Sequence, residues 1–499
     1  MSPRTCSILN VYKQEANLSH RDDHDLSRFG YAQELFRSIG GFSNFAISFS
    51  IISILTGAAT LYGYGLGMGG PLEMSLGWPV ATLFTLALAA SMAELCSAYP
   101  TSGAMYHWAT VLGGAGWGWF VAWLNIIGCI AAQAGINYSC AQFILPLFGA
   151  TASPQNVYAV FAFTLVVHGI LNHTGVRLVA ILNDVSVAVH IIGVFIVAGA
   201  VFFFAPTQPV SFLTHAVNSN GRSPYLWCFF LGLLQAHWTY TGFDASAHMS
   251  EETSNPRVKA PWGIFLSVAV SGVVGYILLI ALTLAISNLP AVLNAKDASG
   301  NEIPAAIAVM QQGLGARMGN TMAALASMAM WFCGLSCLTS ASRAVYSLAR
   351  DNGMPFSSLF KQVNKKHGTP GPAIWALVAA TAAAMAWTGA IPVVTSLSTA
   401  AFYLSYVIPV IFGLRARING STWPQLAEWK LGKYGVLINW IAAIYTCFIT
   451  IVLIMPPNEL AAKTLGSLVA MLILIYSFDV KNKFAGPAWA NFGESKGPS

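Results

Sequence analysis

The sequence predicts an all-α polytopic membrane protein of about twelve transmembrane helices. Of its 499 residues 56% are hydrophobic and only 8% charged, whereas a soluble globular chain carries about 25% charged residues. Apolar runs of spanning length recur about twelve times, at roughly 20 residues per crossing plus short loops. The basic residues also fall on alternate sides. With the N-terminus in the cytoplasm, Arg222, Lys296, Arg317 and Lys463 lie outside and the other 20 of the 24 Lys and Arg lie inside, as the positive-inside rule requires. A wrong span count would scramble that split, and an even count returns the C-terminus to the cytoplasm.

Taken in order, residues 1–38 are polar and mixed in charge, with no apolar stretch behind a basic start. They read as a cytoplasmic tail rather than a cleavable signal peptide. The spans fall at about 42–66, 79–97, 116–145, 157–171, 178–204, 225–248, 263–286, 318–342, 373–390, 392–413, 435–455 and 461–478. Pro392 and Gly389 mark the turn between the ninth and tenth. Residues 39–414 form a core, 415–478 add two helices, and 479–499 are a second cytoplasmic tail. A net charge of +6 in so apolar a chain serves orientation in the lipid bilayer, not nucleic-acid binding. The eight cysteines sit mostly inside apolar runs and form no close CxxC or Cys/His set, so they read as packing residues. No metal and no cofactor is expected.

Spans 1 and 6 are the two most interrupted by Gly, Thr and polar residues, and they stand five spans apart. That spacing fits two inverted five-helix repeats, about 42–204 and 225–413, each beginning with a helix broken near the bilayer centre. A broken helix exposes unpaired N–H groups on one half and C=O groups on the other, which suits a solute carrying both a carboxylate and an ammonium. The candidate breaks are Ile54–Ala58, where Gly57 permits unwinding, and Trp238–Gly242, where Gly242 does. Such glycines also serve plain helix packing.

Ionisable groups inside a membrane are costly and therefore informative. The spans hold Glu94, Asp184, Asp244, His168, His190, His237 and His248. Asp244 follows Gly242 by two, where its carboxylate can relay a proton, meet a cationic solute, or lock the break by bonding backbone N–H. Glu251, Glu252, Arg257, Lys259, Arg343, Arg350 and Asp351 crowd the inner loops, in keeping with gating or structural ion pairs.

Four segments, LYGYGLGMGGP (61–71), AELCSAYPTSGAMYHW (93–108), TYTGFDASAHMSEETSNP (239–256) and SRAVYSLARDNGMP (342–355), together resemble the amino acid, polyamine and organocation superfamily of transporters. Within it they are similar to the amino acid/choline branch that includes GABA permeases. The resemblance implies the leucine-transporter fold with helices 1 and 6 unwound, and movement of a small amine-bearing solute. By its motifs Thr56, Gly57 and Ala58 stand at the substrate contacts of helix 1, although the first glycine of the usual Gly-Ser-Gly type sequence is Leu55 here. Trp238, four residues before Gly242, matches a Trp that closes over substrate in some relatives, with Tyr240 and Thr241 beside it. His190 falls where several proton-coupled relatives carry a helix 5 lysine, and it titrates near neutral pH when unperturbed. Thr339 and Ser340 are the hydroxyls expected beside it. The alternatives are a neutral hydrogen-bonded His190, a packing Trp238, and hydroxyls spent on their own helix.

The expected function is a proton-linked secondary transporter, not an enzyme, in the plasma membrane with both termini cytoplasmic. It would carry an amino acid or a related amine such as GABA by alternating access. The alternatives are an amino acid exchanger, a choline permease using Trp238, Tyr240 and Phe243 as a cation–π box, a polyamine permease, and a transporter-like solute sensor. An intramembrane enzyme built on His168, His190, His237 and Asp184 lacks any metal-ligand spacing.

Overall fold

The computed structural model describes Asp22, Leu26, Ser27 and residues 29–388 and 391–490. Most of the N-terminal tail, the Gly389 turn and the end of the C-terminal tail lie outside the described residues. The first apolar stretch forms α1 (Gly41–Ile52) and α2 (Ile54–Thr60). It is followed by α3 (Tyr62–Leu72), α4 (Trp78–Ala98), a short α5 (Met105–Gly113) and α6 (Ala115–Ile144). Next come α7 (Pro154–Thr174) and α8 (Val176–Phe204). The sixth stretch is in three pieces, α9 (Tyr225–Gly232), α10 (Leu234–Thr239) and α11 (Ala245–His248). The chain continues as α12 (Pro256–Leu284), α13 (Ala305–Arg350), α14 (Gly371–Thr388), α15 (Ile391–Ile418), α16 (Gly435–Ile454) and α17 (Glu459–Ile475). No strand forms among the described residues, which hold only isolated bridges.

Among the described residues ten helices are long and apolar enough to cross a membrane. The other two expected spans are the shorter α14 and the interrupted 225–248 stretch. One boundary differs from the hydropathy reading. Helix runs on from Tyr62 to Ala98 as a single candidate span, where a turn was expected between 66 and 79. Gly70 at φ 70° with Pro71 behind it, then a π-turn over Glu73–Gly77, bend this helix without ending it. Gly315 at φ 77° likewise kinks α13.

α6 lies in the middle of the bundle, packed against α13 and α15, and α1 packs against α8 and α12. The outer face of α8 leaves Ile181, Val185, Ile192 and Phe195 exposed, and lipid covers such a stripe in a membrane protein. The interior between α1, α6, α8, α10, α13 and α15 is where the two breaks meet.

Candidate substrate site

The first helix breaks at Ser53. Its N–H closes α1 on the Phe49 carbonyl at 3.0 Å, and its own carbonyl takes the Thr56 and Gly57 N–H groups at 2.8 and 2.9 Å. Between these, Ser53 adopts φ 38°, ψ 80°, a left-handed conformation costly for a residue with a Cβ. Its hydroxyl bonds the Thr56 hydroxyl and lies 2.6 Å from His190 Nε2. The expected break at Ile54–Ala58 is thereby corrected: those residues form α2, because the Ser53 side chain stabilises the turn that Gly57 was expected to permit.

Gly57 has another use. A Cβ there would collide with the Thr239 side chain of α10. The sixth helix ends at Thr239, with the Thr241 N–H and hydroxyl both turned back on the Trp238 carbonyl at 3.1 and 2.7 Å. Gly242 then adopts φ 85°, and a Cβ on it would strike Ile51 of α1. Each broken helix thus presents a glycine to the other's break. Asn44 and Ser48 stitch α1 to the far side of the sixth helix. Ser48 Oγ donates to the Phe243 carbonyl at 2.8 Å and accepts the Ser246 N–H at 2.8 Å, while Asn44 Nδ2 donates to the Ser246 carbonyl at 3.0 Å.

Between the breaks is a closed void of about 10 Å³, lined by Ile51, Ile52, Thr56, Gly57, Ile136, Trp238, Thr239, Thr241 and Cys333. That is about the room a single water needs. Trp238 is buried against α6, near Gly135, with its indole N–H unpartnered. Thr56, Gly57, Trp238 and Thr241 line this void; Ala58 and Tyr240 do not. Tyr240 is turned outward to α4, its hydroxyl 2.5 Å from Thr82 Oγ1 and its ring against Trp78. Gly242 sits behind Ile51, its N–H on the Tyr406 hydroxyl at 3.1 Å. Ile136 and Cys333 went unread because contacts across α6 and α13 leave no local signal, while Thr239 lies within the expected break at Trp238–Gly242. A far larger concavity, about 1150 Å³, is elsewhere, among Arg257, Arg415, Trp423 and Trp489, and holds neither break.

His190 is fully buried on α8. Its Nδ1 lies 2.7 Å from the Ser186 carbonyl and its Nε2 meets Ser53. Thr339 is not its partner. That hydroxyl bonds Asn172 Oδ1 at 2.7 Å and its own helix at Leu335, and Ser340 lies beside it. The residue of α13 facing the Ser53 turn is Cys333, whose thiol donates to the Ile51 carbonyl at 3.2 Å, nearly two turns earlier. Asp244 is buried and accepts from Tyr406 Oη at 2.6 Å and Asn125 Nδ2 at 3.0 Å, with His248 Nε2 at 3.3 Å.

The charges expected in the inner loops, with Glu94 and Arg417, assemble into ion pairs at one end of the bundle. Arg350 forks onto Glu251 with two bonds of 2.9 Å, Arg343 onto Glu252 at 2.7 and 3.2 Å, and Arg417 meets Glu94. Burial would raise the Glu251 carboxyl, but the Arg350 charge and bonds from Arg350 and Ser102 outweigh it and hold it at about 2. Asp351 takes the hydroxyls of Tyr31 and Tyr106 at 2.8 and 2.9 Å. The hydropathy reading missed one buried acid, Glu73, wrapped by Gly65, Gly69, Gly77 and Gly232 with Oε2 unpartnered; it fell in the turn expected between the first two spans. His168, His190, His237 and Asp184 stay apart, His237 on Tyr403 and Tyr445 and Asp184 on Ser43, and no cluster able to hold a metal forms among the described residues.

The family profile described as "Amino acid permease" matches residues 39–478. The chain is 32% identical over 496 residues to the amino-acid permease BAT1 of Arabidopsis thaliana, covering 93% of this chain and 95% of that one. It is 33% identical to the BAT1 homolog of Oryza sativa over 93% and 94% of the two chains. The GABA-specific permease of Saccharomyces cerevisiae is 28% identical over 89% of this chain and 80% of its own length. Polytopic, predominantly helical and matched from residue 39 to 478, the chain belongs to the amino acid permease family and is a multi-pass membrane transporter of amino acids, not an enzyme.

Proposed function

We propose that this permease is a proton-coupled secondary transporter of amino acids or related amines such as GABA, working by alternating access in the plasma membrane with both termini cytoplasmic. The observation that carries the reading is the reciprocal contact of the two breaks, Gly57 on Thr239 and Gly242 on Ile51, around a void that Trp238 lines. A void of about 10 Å³ is too small for any amino acid, so solute is admitted only when the halves of helices 1 and 6 separate. The inner ion pairs have to part on one side to release it. Thr56, Gly57, Thr241 and the backbone of the breaks take the polar ends of the solute and Trp238 covers it. Ala58, Tyr240 and Gly242 act from behind as supports. His190 connects the proton gradient to the helix 1 break and Asp244 to the helix 6 break, while Thr339 and Ser340 contribute packing and helix bonds.

Two features favour an amino acid over choline or a polyamine. Of the three aromatics a choline box would need, Trp238 alone lines the void, since Tyr240 is bonded to Thr82 and Phe243 packs on Tyr406. A polyamine would want free carboxylates, and Asp244 is already bonded by Tyr406 and Asn125. The test is radiolabelled uptake into proteoliposomes, with GABA, neutral and basic amino acids, choline and putrescine under imposed proton or sodium gradients. Accumulation of an amino acid or GABA driven by protons and indifferent to sodium is expected. Sodium-driven accumulation, or binding without flux as in a sensor, overturns the reading.

A further inference from the structure

His248 and Asp244 are one turn apart on the inner side of the helix 6 break, each 2% exposed. His248 Nδ1 lies 2.8 Å from the Ser102 carbonyl. A carbonyl oxygen only accepts, so Nδ1 carries a hydrogen. The other nitrogen, Nε2, faces Asp244 Oδ2 at 3.3 Å, at ion-pair distance but outside hydrogen-bond alignment. Bare, it would set a lone pair against a carboxylate and remain unsatisfied in the interior, an expensive arrangement.

We propose that Asp244 and His248 share one obligatory proton, and that this proton holds the inner gate shut through Ser102. The inference rests on the proton-coupled reading above and names where the coupling proton resides. With the proton present the pair is neutral overall, as imidazolium with carboxylate or imidazole with carboxylic acid. Without it a single negative charge is buried. The groups facing Asp244 are the Tyr406 hydroxyl from α15, the Asn125 amide and Cys129 thiol from α6, and the Cys337 thiol from α13. None of these is a cation. Arg350, reached beyond Ser102, is already forked onto Glu251.

Ser102 connects the pair to the gate. Its carbonyl takes the His248 hydrogen, while its N–H and hydroxyl donate to Glu251 Oε1 at 3.0 and 2.7 Å. An imidazolium grips that carbonyl more strongly than a neutral ring does. When the proton leaves, the grip weakens, and the buried charge is relieved by letting water in from the gate side. Gly242, at φ 85°, is the pivot on which α11 can swing. Glu251 itself, held near 2, stays ionised over the whole range in which a histidine exchanges protons, about pH 5 to 8. His190 differs, because its Nε2 meets a hydroxyl that can donate to a neutral ring.

The test uses the full-length protein in proteoliposomes, with radiolabelled GABA and L-alanine as probes and three variants compared with wild type. Asp244→Asn and His248→Gln are expected to lower accumulation under an inward proton gradient at least tenfold, while exchange at equal pH falls much less. Asn125→Ala removes one donor to the shared carboxylate, so the pH midpoint of uptake is expected to move away from that of wild type. This third variant reports even where the first two fail to fold. If wild type ignores the proton gradient with both probes, the proton-coupled reading falls and this inference with it. If wild type responds and the midpoint stays put in Asn125→Ala, or gradient-driven accumulation survives in a folded Asp244→Asn or His248→Gln, the shared proton alone is overturned.

Discussion

Ser53 turns the first helix at φ 38° with a side chain in place, whereas Gly242 turns the sixth at φ 85° with none. The first break spans a single residue and is held by a local chain of hydroxyls, Thr56 to Ser53 to His190. The second unwinds several residues and is held from a distance, by Tyr406 of α15 and Asn125 of α6. Hydroxyls donate or accept as required, so the first break accommodates either charge state of His190. The second is centred on a carboxylate whose partners are fixed, and it tolerates the loss of a proton poorly. On the proton-coupled reading proposed above, the two halves of the site divide the work: one adapts, the other switches.

The most severe way to break this arrangement is to fill the contact between the halves. Gly57→Leu drives a side chain into Thr239, and Gly242→Leu drives one into Ile51 at a positive φ that Leu rarely adopts. Both variants are expected to insert in the membrane and to lose transport altogether, with no measurable uptake above empty vesicles. Near-normal affinity in both would reduce the glycines to ordinary helix packing.

Next in size is the seal below the sixth helix. Glu251→Gln leaves Arg350 with a neutral partner in a site where both side chains are mostly buried, and breaking such a pair costs about 3 kcal/mol. The pH dependence follows from the direction of the shift. A carboxyl held at about 2 in the fold against an ordinary 4.5 contributes stability that is fully present above 4.5 and is lost as pH falls through that interval. Thermal unfolding of wild type should show no pH dependence from this pair between about pH 5 and 8, where its contribution is complete. Its midpoint should drop below about pH 4, and Glu251→Gln should abolish that acid-side drop.

A smaller effect is expected at the void itself. Trp238→Ala removes the cover and should weaken apparent affinity about tenfold, near 1.4 kcal/mol, with little change in unfolding temperature. A packing role predicts the reverse, lost stability with affinity preserved, so binding and thermal scans on one preparation separate the two.

The two breaks were not equally legible in the sequence. Long apolar runs and the Lys/Arg bias mark the spans because the bilayer imposes length and orientation on every one of them. Gly242 was readable because a glycine beside Thr, Tyr and Asp in mid-span has few other uses. The first break was placed about a turn late, on Gly57, because a serine held at positive φ by its neighbours carries no compositional mark; Gly57 is there for close approach, a tertiary reason. The same blindness put Thr339 beside His190 in place of Cys333, since register between α8 and α13 depends on how two helices pack. Glu73 escaped notice because it falls between the expected spans 42–66 and 79–97, in a stretch where the π-turn continues the helix.

The finest discrimination comes from His190 and Ser53. Neutral His190 is satisfied with Ser53 donating to Nε2; a protonated ring donates instead, and Ser53 turns its hydrogen to Thr56. Either state keeps the chain complete, so the proton here tunes the break without being indispensable to it. His190→Ala should accordingly lower proton-driven accumulation only severalfold, less than Asp244→Asn, while binding persists. His190→Lys, long enough to reach Ser53 but obliged to donate, should retain part of the activity with a flatter pH profile. Ser53→Gly removes both the conformational strain and the hydroxyl that links His190 to Thr56. Relief of strain, about 1–2 kcal/mol, largely offsets the two lost bonds, about 1 kcal/mol each. Unfolding temperature should then move little while the pH profile flattens as it does in His190→Lys. If His190→Ala instead loses accumulation as completely as Asp244→Asn, the adapting and switching roles are exchanged between the two breaks, and the helix 1 hydroxyl chain becomes the part that cannot do without its proton.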